Sequence, residues 1–173
     1  MKTLSTLLCL FILVVSQYAI AGSSDDLNRK RVPFYDQTRE RPVMVDVWYN
    51  QGASCDALIC LAEQVRTKKV VMLSHGTMGA AIDLNWLAYA LASQNYIVVG
   101  LNHYGESWVY GQNSIDHKVI ADASLRPADA SFALNSIASN TDKDGNKVFN
   151  LAISTQDTLM VGHSAGGATA FML

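Results

Sequence analysis

The stretch Thr158-Leu-Met-Val-Gly-His-Ser-Ala-Gly-Gly167 joins an apolar run to a segment of small residues. Its first part, Thr158–Val161, shows no polar alternation, which is typical of a strand buried on both faces of a sheet. The residues from Gly167 onward begin like a buried helix. A serine at so sharp a strand-to-helix turn takes a strained backbone conformation, and glycines two positions before and after it avoid collisions with the strand and the helix. The pattern therefore predicts that Ser164 holds its hydroxyl out at the carboxyl end of a sheet.

Three further apolar runs predict the rest of that sheet. Arg41–Tyr49 alternates valines with other residues, as a half-buried strand does, whereas Val70–Leu73 and Ile97–Leu101 are continuously apolar. Apolar residues recur at the period of a helix in two places, once between Val70–Leu73 and Ile97–Leu101 and once between Ile97–Leu101 and Ser164. This order predicts an α/β fold with a mostly parallel sheet and helices on both faces. The two helical stripes are Leu84, Leu87 and Leu91, and then Ala130, Ala133, Leu134 and Ile137.

The intervening segments read as loops. Residues 22–40 are polar and irregular, residues 50–69 predict a loop or hairpin, and Thr141–Asn146 predicts a solvated turn. The turn has a glycine too early for a calcium loop and no glutamate that closes it, so we expect no metal there.

Composition places the chain among single globular domains. It has 173 residues, of which 50% are hydrophobic and 16% charged, with a formal net charge of -2. That balance supplies no basic surface for phosphates, so we expect no nucleic-acid partner. Neither a dinucleotide-binding fingerprint nor a P-loop occurs, and no cofactor is implied.

Residues 1–21 have the pattern of a secretory signal peptide. Lys2 precedes the apolar run Leu7–Val15, and Ala19-Ile-Ala21 supplies a small-x-small cleavage site. The run is too short to cross about 30 Å of hydrocarbon, which disfavours a membrane anchor. We expect cleavage after Ala21, a partial domain over residues 22–173, and a secreted or periplasmic protein without stable membrane insertion.

Two cysteines, Cys55 and Cys60, remain after that cleavage. In an exported chain they predict a small disulfide loop. The alternative, a zinc site, normally needs four ligands, and no histidine lies near this pair in sequence. We therefore expect no metal site here.

The segment Leu73-Ser-His-Gly-Thr-Met-Gly79 follows the first buried strand. An exposed serine such as Ser164 can act as the nucleophile of an acyl transfer. That reaction passes through a tetrahedral oxyanion, which needs two preorganised N–H donors, one from the residue after the nucleophile and one from an earlier loop. Ala165 supplies the first candidate amide. Thr77, directly after His75-Gly76, supplies the second.

Other polar residues have weaker roles at this stage. His75, His103 and His163 are candidates for lining a pocket, although local structure is the alternative for His103 and packing beside the turn for His163. Arg126 and Asp129 are spaced to pair on one helical turn, which predicts a structural ion pair.

Five motifs follow one another along the chain: Arg41-Pro-Val-Met-Val-Asp-Val-Trp-Tyr49, Leu73-Ser-His-Gly76, Asn102-His-Tyr-Gly105, Arg126-Pro-Ala-Asp129 and Gly162-His-Ser-Ala-Gly-Gly167. In this order and spacing they resemble a branch of the α/β-hydrolases that includes the platelet-activating-factor acetylhydrolases and predicted dienelactone hydrolases. The resemblance covers the chain from about Arg41 to its end. It implies an α/β-hydrolase fold and a lipase-like serine esterase acting on an acyl ester or lipid, with Ser164 as nucleophile in the turn called the nucleophile elbow. True dienelactone hydrolases use cysteine in that place.

Nine residues follow Ser164, and none is Asp, Glu or His. In this fold the acid and the histidine follow the serine along the chain, so we expect both to lie in a longer gene product and this chain to be truncated after the elbow and nearly inactive. Two alternatives remain open. One is a non-catalytic binding module with the same scaffold, and the other is a hydrolase of thioesters or amides. Nothing in the sequence predicts the oligomeric state.

Overall fold

The computed structural model describes residues 27–67 and 69–173. The predicted signal peptide, residues 1–21, lies outside the described residues. Among the helices in the described ranges, none combines the length and the apolar character needed to cross a bilayer.

In the described part of the chain, five strands form one sheet in the order β1-β2-β4-β3-β5. β2 runs antiparallel to both of its neighbours, whereas β4, β3 and β5 are parallel to one another. Four strands therefore share one direction, and the predicted mostly parallel sheet is confirmed. The strands are β1 (Leu27–Asp36), β2 (Arg41–Asn50), β3 (Val70–Ser74), β4 (Ile97–Asn102) and β5 (Leu159–Gly162).

Helices cover both faces of this sheet, as the sequence predicted. Val70 and Met72 of β3 belong to one buried cluster, together with alanines of the long helix between β4 and β5. The alternate residue Leu73 belongs to a second cluster, together with alanines of the helix between β3 and β4. The two helices thus lie on opposite faces of the sheet. The strands that follow them, β4 and β5, lie on opposite sides of β3. The helices are α1 (Asn85–Ala92), α2 (His117–Ala121), α3 (Leu125–Ser139) and α4 (Ala165–Phe171).

One prediction was wrong at the amino-terminal end. The segment predicted to be irregular, residues 22–40, contains β1, which pairs with β2 over its full length. Arg29 to Arg31 is exposed, so this strand shows no apolar period in its first half. Pairing with β2 stabilises it, and so does the bidentate contact of Arg31 with Asp46, at 3.0 Å for both hydrogen bonds.

The loop between β2 and β3 contains the predicted Cys55–Cys60 disulfide, which is formed. The amide of Gly52 donates to the carbonyl of Cys60 at 2.6 Å, so the loop folds back on itself. Ile59 also bridges to Phe149, which ties the loop to the residues before β5.

Candidate active site

The turn between β5 and α4 has the strained geometry that the glycine pattern predicts. Ser164 has φ 53 and ψ -119, in a region that L-residues rarely adopt, and it directly precedes the first residue of α4. A Cβ atom at Gly162 would collide with the backbone of Gly166, and one at Gly166 would collide with the carbonyl of Ser74. Only glycine fits at these two positions, which is why the chain turns so tightly. Ser164 is exposed at the tip.

The sheet topology brings a second loop to the same place. β3 and β5 are neighbours in parallel register, with Ser74 opposite Gly162, and the amide of His163 donates to the carbonyl of Ser74 at 3.1 Å. Their carboxyl ends lie where successive crossovers depart in opposite directions, which is where open α/β sheets bind ligands. The loops that follow β3 and β5 therefore leave the sheet side by side.

The loop after β3 is a tight turn from Gly76 to Gly79. The amide of Gly79 donates to the carbonyl of Gly76 at 3.1 Å, and Met78 has a positive φ of 59. A Cβ atom built on Gly76 would lie 3.5 Å from the Cβ of Ser164 and 3.1 Å from Nδ1 of His163. Gly76 thus lies beside the elbow with no room to spare, and Thr77 is the next residue along the exposed turn.

Thr77 and Ala165, the two predicted oxyanion donors, directly follow Gly76 and Ser164 in the chain. Ala165 is the first residue of α4, and amides in the first turn of a helix have no acceptor within it. Thr77 occupies the second position of the turn, where the closing hydrogen bond uses the amide of Gly79 instead. The hydrogen bond that closes the turn therefore leaves the Thr77 amide unused.

A cleft of about 560 Å³ adjoins the elbow. One wall carries the polar loop residues, and the other is apolar and comes mainly from α1 and β5. His75 and His163 both border it, although His75 is buried from solvent. The lining residues are His75, Gly76, Thr77, Gly79, Asp83, Leu84, Trp86, Leu87, Val161, Gly162 and His163.

His75 is a neutral ring with both nitrogens occupied. The amide of His103 donates to Nε2 at 3.3 Å, so Nδ1 carries the proton and donates to the carbonyl of Gly76 at 2.6 Å. Burial, and then the neighbouring His103, lower the pKa of His75 from its ordinary 6.5 to about 3. His75 therefore stays uncharged at neutral pH.

His103 lies in the interior rather than at the cleft, so the local-structure alternative accounts for it and pocket lining does not. It is fully buried, with Nε2 at 3.0 Å from Oγ of Ser74 and Nδ1 at 3.2 Å from Asp129. Burial lowers the pKa of His103 although its hydrogen bond to Asp129 opposes the change. The neutral ring donates to the carboxylate and accepts from the Ser74 hydroxyl.

Ser74, His103 and Asp129 thus have the hydrogen-bond order of a catalytic triad, but they lie in the interior and not at the cleft. Their exposed fractions are 0%, 0% and 1%, so no substrate reaches the Ser74 hydroxyl. Burial alone would raise the pKa of Asp129, but hydrogen bonds from His103 and Arg41 outweigh it, and that pKa is lowered. The group is a structural network under the loop that follows β3.

The predicted pairing of Arg126 with Asp129 was wrong. Arg126 instead binds Glu106 through two hydrogen bonds of 2.8 and 2.7 Å, and Asp129 binds Arg41 at 2.8 and 3.0 Å. Both pairs are buried and connect α3 to other elements, which a pairing along α3 itself cannot do. Glu106 was missed, although a carboxylate soon after a buried strand is a signal for such a partner.

The Ser164 hydroxyl makes no hydrogen bond to any residue in ranges 27–67 and 69–173. The rings of His75 and His103 are fully engaged elsewhere, and His163 precedes Ser164 in the turn. Within the described residues, the site therefore holds an exposed serine hydroxyl without a neighbouring base.

No protein-family model and no curated protein matches the chain. Solved structures do. A ferulic acid esterase from Streptomyces cinnamoneus is similar over 89% of this chain and 56% of its own, at 20% identity and a TM-score of 0.64. A dienelactone hydrolase-like promiscuous phosphotriesterase from metagenomic libraries is similar over 84% of this chain and 53% of its own, at 13% identity and a TM-score of 0.55.

A third similar structure is a cold-adapted esterase from an Arctic intertidal metagenomic library, at 15% identity and a TM-score of 0.52, covering 85% of this chain and 54% of its own. The chain spans little more than half the length of each of these proteins. Together they confirm the predicted α/β-hydrolase fold.

Proposed function

We propose that the protein containing this chain is a secreted serine hydrolase of carboxylic esters, with Ser164 as nucleophile. The observation that carries the proposal is the exposed, strained serine beside Gly76 at the carboxyl ends of β3 and β5. Structural strain of this kind persists where the surrounding structure enforces it, and it clusters at active sites. The names of two of the similar structures, both esterases, favour esters as the substrate class.

In the proposed reaction, Oγ of Ser164 attacks the acyl carbonyl carbon and loses its proton to a base. The carbonyl oxygen becomes an oxyanion, which the amides of Thr77 and Ala165 stabilise. The intermediate collapses, the alcohol leaves with a proton, and water then releases the acid from the serine ester. Each amide donor contributes about 3 to 4 kcal/mol to lowering the barrier.

We propose that the base and its acid partner belong to a part of the protein outside this chain. A serine without its histidine loses about a million-fold in kcat, so the 173-residue chain alone is proposed to be nearly inactive. The Cys55–Cys60 disulfide supports export, since such bonds persist in oxidising compartments. Residues 1–21 are proposed to be its cleaved signal peptide.

The test uses the full-length protein, a fluorophosphonate probe and p-nitrophenyl esters. We expect the probe to label the peptide that contains Ser164, and Ser164→Ala to abolish both labelling and hydrolysis. Ser154→Ala, at an exposed serine outside the cleft, is the matched control and should retain both.

Two outcomes contradict the proposal. Label on the peptide that contains Ser74 would place the nucleophile in the buried network instead. A folded full-length protein that neither binds the probe nor hydrolyses any ester would favour a non-catalytic binding module, and faster hydrolysis of thioesters or amides would change the substrate class.

A further inference from the structure

The carbonyl of Gly76 is held unusually firmly. It accepts hydrogen bonds from Nδ1 of His75 at 2.6 Å, from the amide of Gly79 at 3.1 Å and from Nη2 of Arg126 at 3.4 Å. Arg126 also donates to the preceding carbonyl, that of His75, at 2.8 Å. A single carbonyl with three donors has little freedom to rotate.

Holding this carbonyl also directs the next amide. The Gly76 carbonyl and the Thr77 N–H belong to one planar trans peptide unit, in which the two bonds point in opposite directions. Groups that fix the carbonyl on the side of Arg126 and His75 therefore fix the Thr77 N–H on the other side. A Cβ atom built on Gly76 would lie 3.5 Å from the Cβ of Ser164, so this peptide unit lies beside the elbow.

The two side-chain donors, His75 and Arg126, are each held in place by further hydrogen bonds. The amide of His103 occupies Nε2 of His75, which leaves the ring only the tautomer that donates to Gly76. Glu106 binds the guanidinium of Arg126 in a bidentate pair, and all three side chains are buried. Rigid support of this kind is what a preorganised donor needs, because an amide misplaced by 1 Å loses much of its effect.

We propose that His75 and Arg126 are positioning residues of the reaction, which aim the Thr77 amide at the oxyanion by holding the Gly76 carbonyl. This inference rests on the proposed function. Neither side chain touches the substrate in this role. A purely structural role is the alternative, since both residues are also part of the buried network.

Two substitutions of His75 separate these roles in the full-length protein. His75→Asn places an amide nitrogen near the position of Nδ1, so it keeps a donor for Gly76 and loses the acceptor for the His103 amide. The terminal amide of His75→Gln reaches the position of Nε2. This variant therefore keeps the acceptor for the His103 amide and loses the donor for Gly76. If the role of His75 is only structural, the two variants should lose kcat equally, because each breaks one buried hydrogen bond.

For the positioning role we expect His75→Gln to lower kcat by about 10²- to 10³-fold with KM nearly unchanged, as loss of an oxyanion donor does. His75→Asn should lose less than about tenfold, within the effect of a single hydrogen bond. Binding of a trifluoromethyl ketone, which forms a tetrahedral oxyanion, should weaken in parallel with kcat.

Arg126→Lys supplies a second variant if the histidine variants do not fold. Lysine keeps a cation for Glu106 but cannot bind the carboxylate and both carbonyls at once. We expect kcat and ketone affinity to fall together while KM is retained.

The outcomes distinguish the two levels of the proposal. A wild-type protein without ester hydrolysis overturns the proposed function and this inference with it. An active wild type in which His75→Asn and His75→Gln lose kcat equally, or in which the loss falls on KM, overturns the positioning role alone. Where the histidine variants do not fold, an unchanged kcat in Arg126→Lys overturns it.

Discussion

Gly166 and Gly167 are adjacent in α4 and meet very different surroundings. A Cβ at Gly166 would collide with the carbonyl oxygen of Ser74, whereas one at Gly167 would lie 3.5 Å from the carbonyl oxygen of Gly162, an ordinary contact. Gly166→Ala should therefore cost about 3 kcal/mol of unfolding free energy because backbone must move. Gly167→Ala, the matched control, should leave it unchanged or raise it by up to about 1 kcal/mol, since alanine favours the helix.

Urea unfolding of the two variants measures this difference. Equal losses for both would mean that α4 does not pack against β3 in the way described, and the elbow geometry would have to be revised.

The buried ring of His75 makes stability depend on pH. Its pKa is about 3 in the folded protein and about 6.5 when unfolded, so below pH 6.5 protons bind preferentially to the unfolded chain. The stabilisation is complete above pH 6.5 and is lost as the pH falls. Between pH 7 and pH 5, this residue should reduce the unfolding free energy by about 2 kcal/mol. The lowered pKa of His103 acts in the same direction.

Urea unfolding at pH 7 and pH 5 checks this prediction, with His75→Asn as the variant that cannot titrate at this position. The variant should show a smaller pH dependence than the wild type. If both lose the same free energy between the two pH values, the ring is not held neutral in the folded state.

Asp129 connects three elements through one carboxylate. It accepts hydrogen bonds from Arg41 of β2 and from His103 after β4, and Arg39 adds another at 2.9 Å. Asp129→Asn would leave the buried Arg41 without its charge partner, so we expect a loss of about 3 to 5 kcal/mol in unfolding free energy. Thermal or urea unfolding measures it.

Asp157→Asn is the control, because Asp157 pairs with Lys69 at 3.6 Å on the exposed surface. Exposed pairs contribute little, so this variant should melt like the wild type. If Asp129→Asn loses as little unfolding free energy as Asp157→Asn, water reaches the buried pair.

Sequence patterns predicted the apolar strands β3, β4 and β5 well and the charged strand β1 poorly. β3 and β4 are apolar on both faces because helices cover them on each side, and that pattern is visible in the chain. β1 lies at the edge with exposed charges, so its alternation is hidden until its pairing with β2 is known. The five-residue helix α2 is too short to show a period.

The same limit applies to the candidate site. The spacing of glycines around Ser164 predicted the strained turn, because that constraint is local in sequence. The partners of Arg126 and Asp129 come from residues 20 and 88 positions away, Glu106 and Arg41. Helical spacing alone favoured a pairing between them, whereas in the fold each binds a residue from another element.

The free edge of β5 is where the described part of the molecule is most exposed to association. β5 pairs with β3 on one side, and no other strand of the described residues pairs with it on the other. Leu159 on this strand is 55% exposed. An unpaired apolar edge is a template for strands of other molecules, so we expect the 173-residue chain expressed by itself to self-associate.

Leu159→Lys should reduce that association, since a lysine on an edge strand disfavours pairing with a second edge. Trp108→Lys is the matched control, because Trp108 is 49% exposed but lies in the short turn Trp108–Tyr110, whose Tyr110 hydroxyl binds β2 and β4 rather than β5. Light scattering against concentration measures both. If the tryptophan variant reduces scattering as much as the leucine variant, association depends on general apolar exposure and not on the edge of β5.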